Sequence, residues 1–315
     1  MGMAGNAMTT NQKQDVNQNW GYKNKKDERN GGRVFGKSTS EPMLLTKRDT
    51  EIVQWIFSAR LATRDQLQRL FFTSGGLSLC KHRLTVLYRH RYIDKLFARP
   101  VSAPALYYIS RRCTNGLRLL RAVYPEKDIK PRKVASITIR HTLDIADCRI
   151  AFIKACAEPT YSFRFWLSEE EVFPHMRASG IIPDAYFPIS HQTEDGQKLA
   201  GFFIEVERSA KSQIALERKF TCYGRFYYKA EFGTRALRIL FLVGSDYAIN
   251  PMHQIAKYSR MCEHLNVTAI RFAVLDTLLD TDPTRIFDTP IWLRTGTPEL
   301  QSLFSAGSQR NNEYY

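Results

Sequence analysis

Apolar residues in the first patterned stretch of the chain recur at spacings of three and four, which predicts two consecutive helices. The first follows Thr46, with Asp49 three residues later, and the second follows Thr63, with Gln66 three residues later. A hydroxyl residue followed at that distance by an acid or glutamine is the capping-box pattern that starts helices. The buried faces would consist of Ile52, Val53, Ile56 and Phe57, then Leu67, Leu70 and Phe71.

A third helix is predicted over residues 78–90, after the break at Gly75 and Gly76. Leu79, Leu84 and either Leu87 or Tyr88 would face inward. A polar, mostly basic face would then point to solvent, made of Lys81, His82, Arg83, Thr85 and Arg89.

Two short strands, over residues 92–97 and 105–109, are predicted next. Three helices followed by a hairpin indicate a winged helix-turn-helix, placed at residues 44–125. Between Arg60 and Arg99 there are nine Lys/Arg and two acids, so the charge favours DNA as its ligand. Besides the polar face of the third helix, the DNA-binding candidates are Arg91, Lys95 and Arg99. The alternative is a winged helix that contacts proteins.

The second half of the chain predicts an α/β domain over residues 137–295. The pattern reads as a helix, three strands, a helix, a strand, a helix and a strand, which is typical of a mixed sheet. The predicted elements are a helix at 142–157, strands at 161–167, 181–189 and 201–207, a helix ending near 228, a strand at 237–243, a helix at 252–264 and a strand at 268–275.

Composition adds a basic character to this two-domain picture. The 315 residues are 43% hydrophobic, with a formal net charge of +15 and a pI near 9.6, which favours nucleic acid as partner over anionic lipid. Residues 1–40 carry seven Lys/Arg and three acids, which predicts a disordered basic arm. This arm would either contact phosphates of bound DNA or keep the protein soluble. A flexible tail is predicted at 296–315. Scattered cysteines, with no secretion signal or membrane-length apolar run, predict a cytoplasmic protein.

Acidic residues on two neighbouring strands form the candidate chemical site. Asp195 and Gly196 give a strong hairpin-turn signal between these strands. With that dipeptide at the turn centre, Asp184 pairs with Glu207 and Tyr186 with Glu205, so three carboxylates share one face.

Clustered carboxylates repel one another unless a cation offsets the repulsion. A hard divalent ion, Mg²⁺ or Mn²⁺, prefers such oxygen ligands, activates water and stabilises the charge on a cleaved phosphodiester. Asp184, Glu205 and Glu207 are the predicted ligands. The alternative is a solvated sheet face on which the acids pair with Arg208 or Lys219.

The element order, Pro183-Asp184 and the Glu205-x-Glu207 pattern resemble the PD-(D/E)XK nuclease core of restriction endonucleases and resolvases. Glu207 stands where that motif usually has lysine. In some relatives the lysine lies on the following helix, and Lys219 is the candidate here. The resemblance implies a catalytic set of Asp184, Glu205, Glu207 and Lys219.

Over residues 44–275 the chain resembles the replication-relaxation family of mobile-element proteins, which includes MobC-type conjugative relaxases. The resemblance rests on Thr46–Asp49, the winged helix, His141–Asp147, Pro183–Ala185, Phe203–Arg208 and Leu216–Tyr223. It implies a protein of a plasmid or integrative element that binds an origin of transfer, as duplex and as locally single-stranded DNA, and nicks one strand with a metal ion. Relaxosome proteins and a coupling protein are the implied partners. The alternative is a DNA-binding accessory factor whose nuclease-like domain is inactive.

Histidine and tyrosine chemistry receives less support. None of the seven histidines forms the His-hydrophobe-His metal cluster of the common relaxases. Tyr223, Tyr227 and Tyr228 are better explained as packing residues, although a tyrosine nucleophile stays open. His141, Asp144 and Glu169 are candidates for supporting the site, with helix capping or packing the competing role for His141.

Overall fold

The chain is a mixed α/β protein in which helices cover both faces of a mixed sheet. The computed structural model describes residues 43–73, 76–96, 105–131, 138–157, 159–194, 196–208, 211–227, 236–244 and 250–304. The predicted basic arm and Arg99 lie outside these residues. Within the described part of the chain, every helix is too short or too polar to cross a bilayer.

In its described residues, the N-terminal unit consists of four helices and a small sheet. Its elements are α1 (Lys47–Ser58), β1 (Leu61–Thr63), α2 (Arg64–Phe71), α3 (Gly76–Arg89), β2 (Asp94–Leu96), β3 (Leu106–Tyr108) and α4 (Thr114–Val123). The strands pair antiparallel in the order β1-β3-β2. β1 and α4 were not predicted from the sequence.

The first two helices begin where the sequence predicts. The Thr46 side chain accepts a hydrogen bond from the Asp49 N–H, and the Asp49 carboxylate accepts one from the Thr46 N–H, which completes a capping box. Thr63 and Gln66 repeat the arrangement at α2. Each box satisfies backbone donors that the first helical turn leaves without partners.

The prediction for the inner face of α3 was wrong at one position. Leu79 is 41% exposed, and Cys80 is buried in its place together with Leu84 and Leu87. The spacing of Cys80, Leu84 and Leu87 is four and three, which keeps one helix face inward, whereas Leu79 lies five residues before Leu84.

The second half is built on an eight-stranded sheet. Its elements are α5 (Ile139–Ala155), β4 (Tyr161–Phe163), β5 (Leu167–Ser168), α6 (Glu169–Met176), β6 (Ala185–Thr193), β7 (Gly196–Glu207), α7 (Gln213–Tyr227), β8 (Ala236–Val243), α8 (Pro251–His264), β9 (Ile270–Val274), α9 (Leu275–Asp280), β10 (Trp292–Arg294) and β11 (Leu300–Gln301). The strand order is β11-β10-β9-β8-β7-β6-β4, and β5 also pairs with β6. β7, β8 and β9 run parallel, and the other pairs are antiparallel.

The two faces of this sheet carry separate cores. On one face, α6, α7 and α8 cover Tyr186, Phe203 and Phe241. On the other, α5 and α9 pack against Phe187 and Leu240. Because side chains alternate along a strand, neighbouring residues of β6 and β7 contribute to opposite cores.

Two sequence predictions at the sheet edges need correction. The strand predicted at 161–167 is two short strands, because the chain leaves the ladder between Phe163 and Leu167. The predicted tail from residue 296 is ordered in its first part, since β11 pairs with β10 and Leu303 is buried. The edge of the sheet therefore extends beyond residue 295.

α5 joins the two halves. The Arg149 guanidinium lies 4.2 Å from the ring centroid of Trp55 in α1 and 5.6 Å from that of Trp166, and it donates a 2.7 Å hydrogen bond to Ser58 Oγ. Burial lowers the pKa of Arg149 to about 10. Gln66 donates to the Leu143 carbonyl at 2.9 Å, and Arg69 ion-pairs with Asp147. We call these contacts the Arg149 bridge; they fix the N-terminal unit against the sheet domain.

Candidate functional site

The β6–β7 register differs from the predicted one by two residues. Thr193 pairs with Gly196 and Ala185 with Ile204, so the predicted pairing of Asp184 with Glu207, and of Tyr186 with Glu205, is wrong. The ladder pairs are centred one residue earlier than predicted, and Asp195 itself lies outside the described residues. A shift of two residues preserves the face to which each side chain points. Asp184 therefore lies beside Glu205 at the end of the hairpin.

Asp184 is held from two sides. Its Oδ1 lies 3.1 Å from His141 Nε2 on α5, and its Oδ2 accepts a 2.8 Å hydrogen bond from the Val206 N–H. Burial raises the pKa of Asp184, but the hydrogen bond and charge of His141, the Val206 N–H and the charge of Lys219 outweigh it and leave the pKa below its ordinary value. Asp184 is thus ionised and oriented at neutral pH.

Glu205 is buried on β7 and contacts two side chains of α7. Its Oε1 accepts a 2.5 Å hydrogen bond from the Tyr223 hydroxyl, and its Oε2 accepts one from Lys219. Burial raises the pKa of Glu205 to about 7, the charge of Asp184 adds to the rise, and Lys219 and Tyr223 act against it.

Lys219 and Tyr223 reach Glu205 together because they lie four residues apart on one face of α7. Burial lowers the pKa of Lys219, but the charge and hydrogen bond of Glu205, with Asp184 and Glu207 nearby, outweigh it and keep the pKa above its ordinary value. Burial and the charge of Glu205 raise the pKa of Tyr223 well above its usual range, so its hydroxyl stays protonated.

Glu207 and Asp144 extend the cluster, and each forms an ion pair with a basic side chain. Glu207 Oε2 lies 2.6 Å from Lys211 Nζ. Asp144 on α5 is buried, with Arg208 at 2.5 Å and Arg140 at 3.5 Å. Four carboxylates therefore alternate with basic groups at this end of the sheet.

His141 belongs to the cluster and does not cap α5. Burial lowers the pKa of His141, but the hydrogen bond and charge of Asp184, with Asp144 and Glu205 nearby, outweigh it and hold the pKa above its ordinary value. Glu169 lies elsewhere. It is at the first turn of α6, with a half-exposed side chain, and ion-pairs at 3.7 Å with Arg60 of the N-terminal unit.

The donor atoms of the cluster suit a hard cation, but its arrangement is not a complete metal cage. Asp184 and Glu205 offer carboxylate oxygens, the ligands that Mg²⁺ and Mn²⁺ prefer. Across the residues that the structure describes, His, Cys, Asp and Glu form no group of three or more arranged to hold a metal. Mg²⁺ commonly uses one or two protein carboxylates together with phosphate and water, so these residues fit an ion that is shared with a phosphate.

The predicted DNA-binding residues lie on two parts of the N-terminal unit. Lys81, His82, Thr85 and Arg89 are exposed on α3, and Arg91 follows α3 in an exposed position. Lys95 on β2 is half-buried, with its ammonium 6.0 Å from the centroid of the Tyr107 ring. Lys81, Arg89 and Arg91 therefore place exposed positive charge on and after α3.

Arg83 differs from its neighbours on α3 because its guanidinium donates hydrogen bonds to other residues of the N-terminal unit. Its guanidinium makes two hydrogen bonds to the fully buried carboxylate of Asp49, the Nε bond at 2.7 Å, and a third to the Leu44 carbonyl at 3.0 Å. Burial raises the pKa of Asp49, but the hydrogen bonds of Arg83 and Thr46 outweigh it and leave the pKa below its ordinary value of 3.8. Arg83 thus links α3 to the start of α1.

We expect Asp49→Asn to destabilise the protein by about 3 kcal/mol at neutral pH, because it breaks a buried ion pair. Since the folded-state pKa of Asp49 is lowered, its contribution is present above its ordinary value of 3.8 and disappears as the pH falls through the lower folded value. Urea unfolding at a series of pH values checks this. Glu51→Gln, which removes an exposed pair with Lys47, is the control and should change little. If the difference in unfolding free energy between Asp49→Asn and the natural chain does not change with pH, the assignment is contradicted.

Three members of the cluster were not selected as site residues from the sequence, namely Tyr223, Arg208 and Lys211. The i, i+4 relation between Lys219 and Tyr223 was a usable signal, because both then share one helix face. Arg208 and Lys211 follow β7 directly, but nothing in the pattern specifies which acid each contacts.

Comparison with known proteins gives one match. Residues 53–236 match the replication-relaxation family, which is more than half of the chain and includes every residue of the cluster described above. Neither the curated proteins nor the solved structures contain a match. On the extent of the family match, the chain belongs to the replication-relaxation family.

Proposed function

We propose that this protein is a DNA relaxase of the MobC type, which binds an origin of transfer and nicks one strand to start conjugative mobilisation. The single observation that carries the proposal is the meeting of Asp184, Glu205 and Lys219 at the end of the β6–β7 hairpin. Family membership supports a role in plasmid replication or transfer. Such a protein works in the cytoplasm, with relaxosome proteins and a coupling protein as its partners.

The N-terminal unit is proposed to be a winged helix that binds duplex DNA. The order of α1, α2, α3 and the paired strands β2 and β3 supports this assignment. α3 would enter the major groove with Lys81, His82 and Thr85 toward the bases and phosphates, and Arg91 and Lys95 would contact the backbone. Arg83 is left out of the DNA-binding set because Asp49 engages it.

The sheet domain is proposed to be a PD-(D/E)XK-like nuclease domain. The usual lysine position holds Glu207, and Lys219 approaches Glu205 from the following helix, as in relatives with a displaced lysine. This contact supports Lys219 as the functional equivalent, since its ammonium is next to the acids on which the reaction depends.

Asp184 and Glu205 would hold the Mg²⁺ or Mn²⁺ ion, with Glu207 at the margin of the site. When bound, such an ion activates water and stabilises negative charge on a phosphodiester. Residues of the chain orient the acids and stabilise charge. His141 and the Val206 N–H orient Asp184, while Lys219 supplies a positive charge beside the acids that offsets charge developing on the phosphate. Hydrolysis consumes one water, breaks one P–O ester bond and transfers a proton to the departing oxygen.

A nicking assay tests the proposed function directly. Supercoiled plasmid with the element's own origin of transfer is incubated with the full chain and Mg²⁺, Mn²⁺ or EDTA. We expect conversion to the relaxed form with either metal and none with EDTA. Absence of relaxation under all three conditions would reject the nickase.

We expect Lys81→Ala to weaken duplex binding and to reduce the slope of log affinity against log salt by about 0.9, the value for one phosphate contact. Fluorescence anisotropy at several salt concentrations measures both. Lys257→Ala, which removes an exposed cation of α8, is the matched control and should leave the slope unchanged. Equal slopes for Lys81→Ala and the natural chain would remove Lys81 from the DNA surface.

A second candidate function is a DNA-binding accessory factor without nuclease activity. One observation favours it, because Asp184, Glu205 and Glu207 each already contact a basic side chain. In that case the ion pairs serve stability alone. Duplex binding without relaxation would select this candidate.

A further inference from the structure

An open groove of about 540 Å³ lies beside the β6–β7 hairpin, away from the acidic cluster. It forms where the chain leaves the ladder between β4 and β5, and the Arg164 N–H donates to the Pro188 carbonyl at 3.1 Å. The residues lining it include Arg164, Phe165, Pro188, Ser190, Lys198 and Leu199. We call this the hairpin groove.

The hairpin groove combines exposed apolar surface with positive charge. The Phe165 and Leu199 side chains are 49% and 44% exposed, which is unusual for residues of this size. Arg164 is exposed and donates a 3.2 Å hydrogen bond to Gln197, which shares the sheet face of Leu199. A flat ring beside a cation suits a nucleobase joined to a phosphate.

The floor of the groove contains a buried polar atom. Ser190 is 2% exposed, and its hydroxyl has no hydrogen-bond partner among the described residues. A buried hydroxyl without a partner costs free energy, so such atoms usually have one in the functional state. A bound molecule with a donor or acceptor would satisfy Ser190.

The groove and the acidic cluster lie on one face of the hairpin. Pro188 and Ser190 follow Tyr186 at intervals of two residues along β6, so all three lie on the same face. Ser190 pairs with Leu199 on β7. At about 3.3 Å per strand residue, they are roughly 13 to 20 Å from Asp184 along the strand. Tyr186 lies between them and is buried beneath the helices of this face, so one nucleic-acid strand that contacts both places has to pass over those helices.

We propose that the hairpin groove binds single-stranded DNA, with one base against Phe165 and Leu199, its phosphate near Arg164, and a hydrogen bond to Ser190. This inference rests on the proposed function and adds a holding site for the strand beside the nick. The groove would hold an unpaired strand at the far side of the covering helices from the cluster.

Binding of a short fluorescent oligothymidylate to the full chain, in EDTA, tests this site without any cleavage. Phe165→Ala should weaken binding about five- to hundredfold, the range for loss of one stacked base. Arg164→Ala should reduce the salt slope by about 0.7, the value for one phosphate of a single strand. Both side chains are exposed, so the variants retain the fold, which circular dichroism checks.

Matched controls separate this site from general charge and from the nickase itself. Phe173→Ala removes a similarly exposed ring from α6, and Lys257→Ala removes an exposed cation; both should bind oligothymidylate normally. Unchanged binding by Phe165→Ala overturns the inference even if plasmid nicking is intact. Weakened binding supports it even if the chain nicks nothing, so the two proposals fail separately.

Discussion

Asp184→Asn is expected to reduce plasmid nicking at least about a hundredfold, because it removes one of the two charges proposed to hold the metal ion. Asparagine has nearly the size of aspartate, and its carbonyl oxygen still accepts the Val206 N–H. Loss of the pair with His141 should lower the stability, but the fold and duplex binding should be kept. The initial rate of relaxation, together with duplex affinity measured on the same preparations, checks both expectations.

The control for Asp184→Asn comes from the same hairpin. Glu194→Gln removes an exposed carboxylate at the far end of β6 and β7 and should nick at the natural rate. Glu205→Gln should behave like Asp184→Asn. Relaxation that persists in both Asp184→Asn and Glu205→Gln would exclude these acids from the mechanism.

Lys219→Met is expected to lower the free energy of unfolding by about 3 to 5 kcal/mol at pH 8, the range for removing one partner of a buried ion pair. Glu205 is buried and would keep only the Tyr223 hydroxyl as its partner among the contacts described. Burial raises the pKa of Glu205 to about 7 even with Lys219 present, so the group favours the folded state at low pH and loses that contribution as pH rises toward and through about 7. The loss in Lys219→Met should therefore be larger at pH 8 than at pH 5.

A double-mutant cycle isolates this interaction. In Lys219→Met combined with Glu205→Gln, the destabilisation should be smaller than the sum of the two single changes, because no unpaired charge stays buried. Lys127→Met, which removes a partly exposed partner of Glu171, is the control and should cost little. Additive effects, or a loss independent of pH, would show that Lys219 and Glu205 do not act as a pair.

Local patterns predicted the helices with most success. The capping boxes at Thr46 and Thr63 are short-range hydrogen-bond arrangements, so a few residues suffice to locate the helix starts. β1 was missed because its formation depends on a distant partner, whereas α4 was missed although Leu117 and Leu120 lie at helical spacing. β1 is three residues long and exists through its pairing with β3.

Alternation along the strands predicted that Asp184 and Glu205 share one sheet face, and the error in register did not change this. Because the error was two residues, Asp184 and Glu205 kept their faces, and the correct ladder brings them closer to each other than the predicted one. What the sequence did not reveal is which basic side chain each acid contacts. Lys219, Lys211 and Arg208 are all near in sequence, and only the packing of α5 and α7 against the sheet assigns them.

The Arg149 bridge has a consequence for the proposed function, because it fixes the distance between α3 and the acidic cluster. With Trp55 and Arg149 in contact and α2 hydrogen-bonded to α5, the N-terminal unit cannot swing on a loose tether relative to the acidic cluster. In the proposed function, a DNA duplex bound by α3 would present a fixed phosphate to Asp184, at a set number of base pairs and a set rotation. The position of the cut would follow from the dimensions of the protein, with no base at the cut itself having to be read.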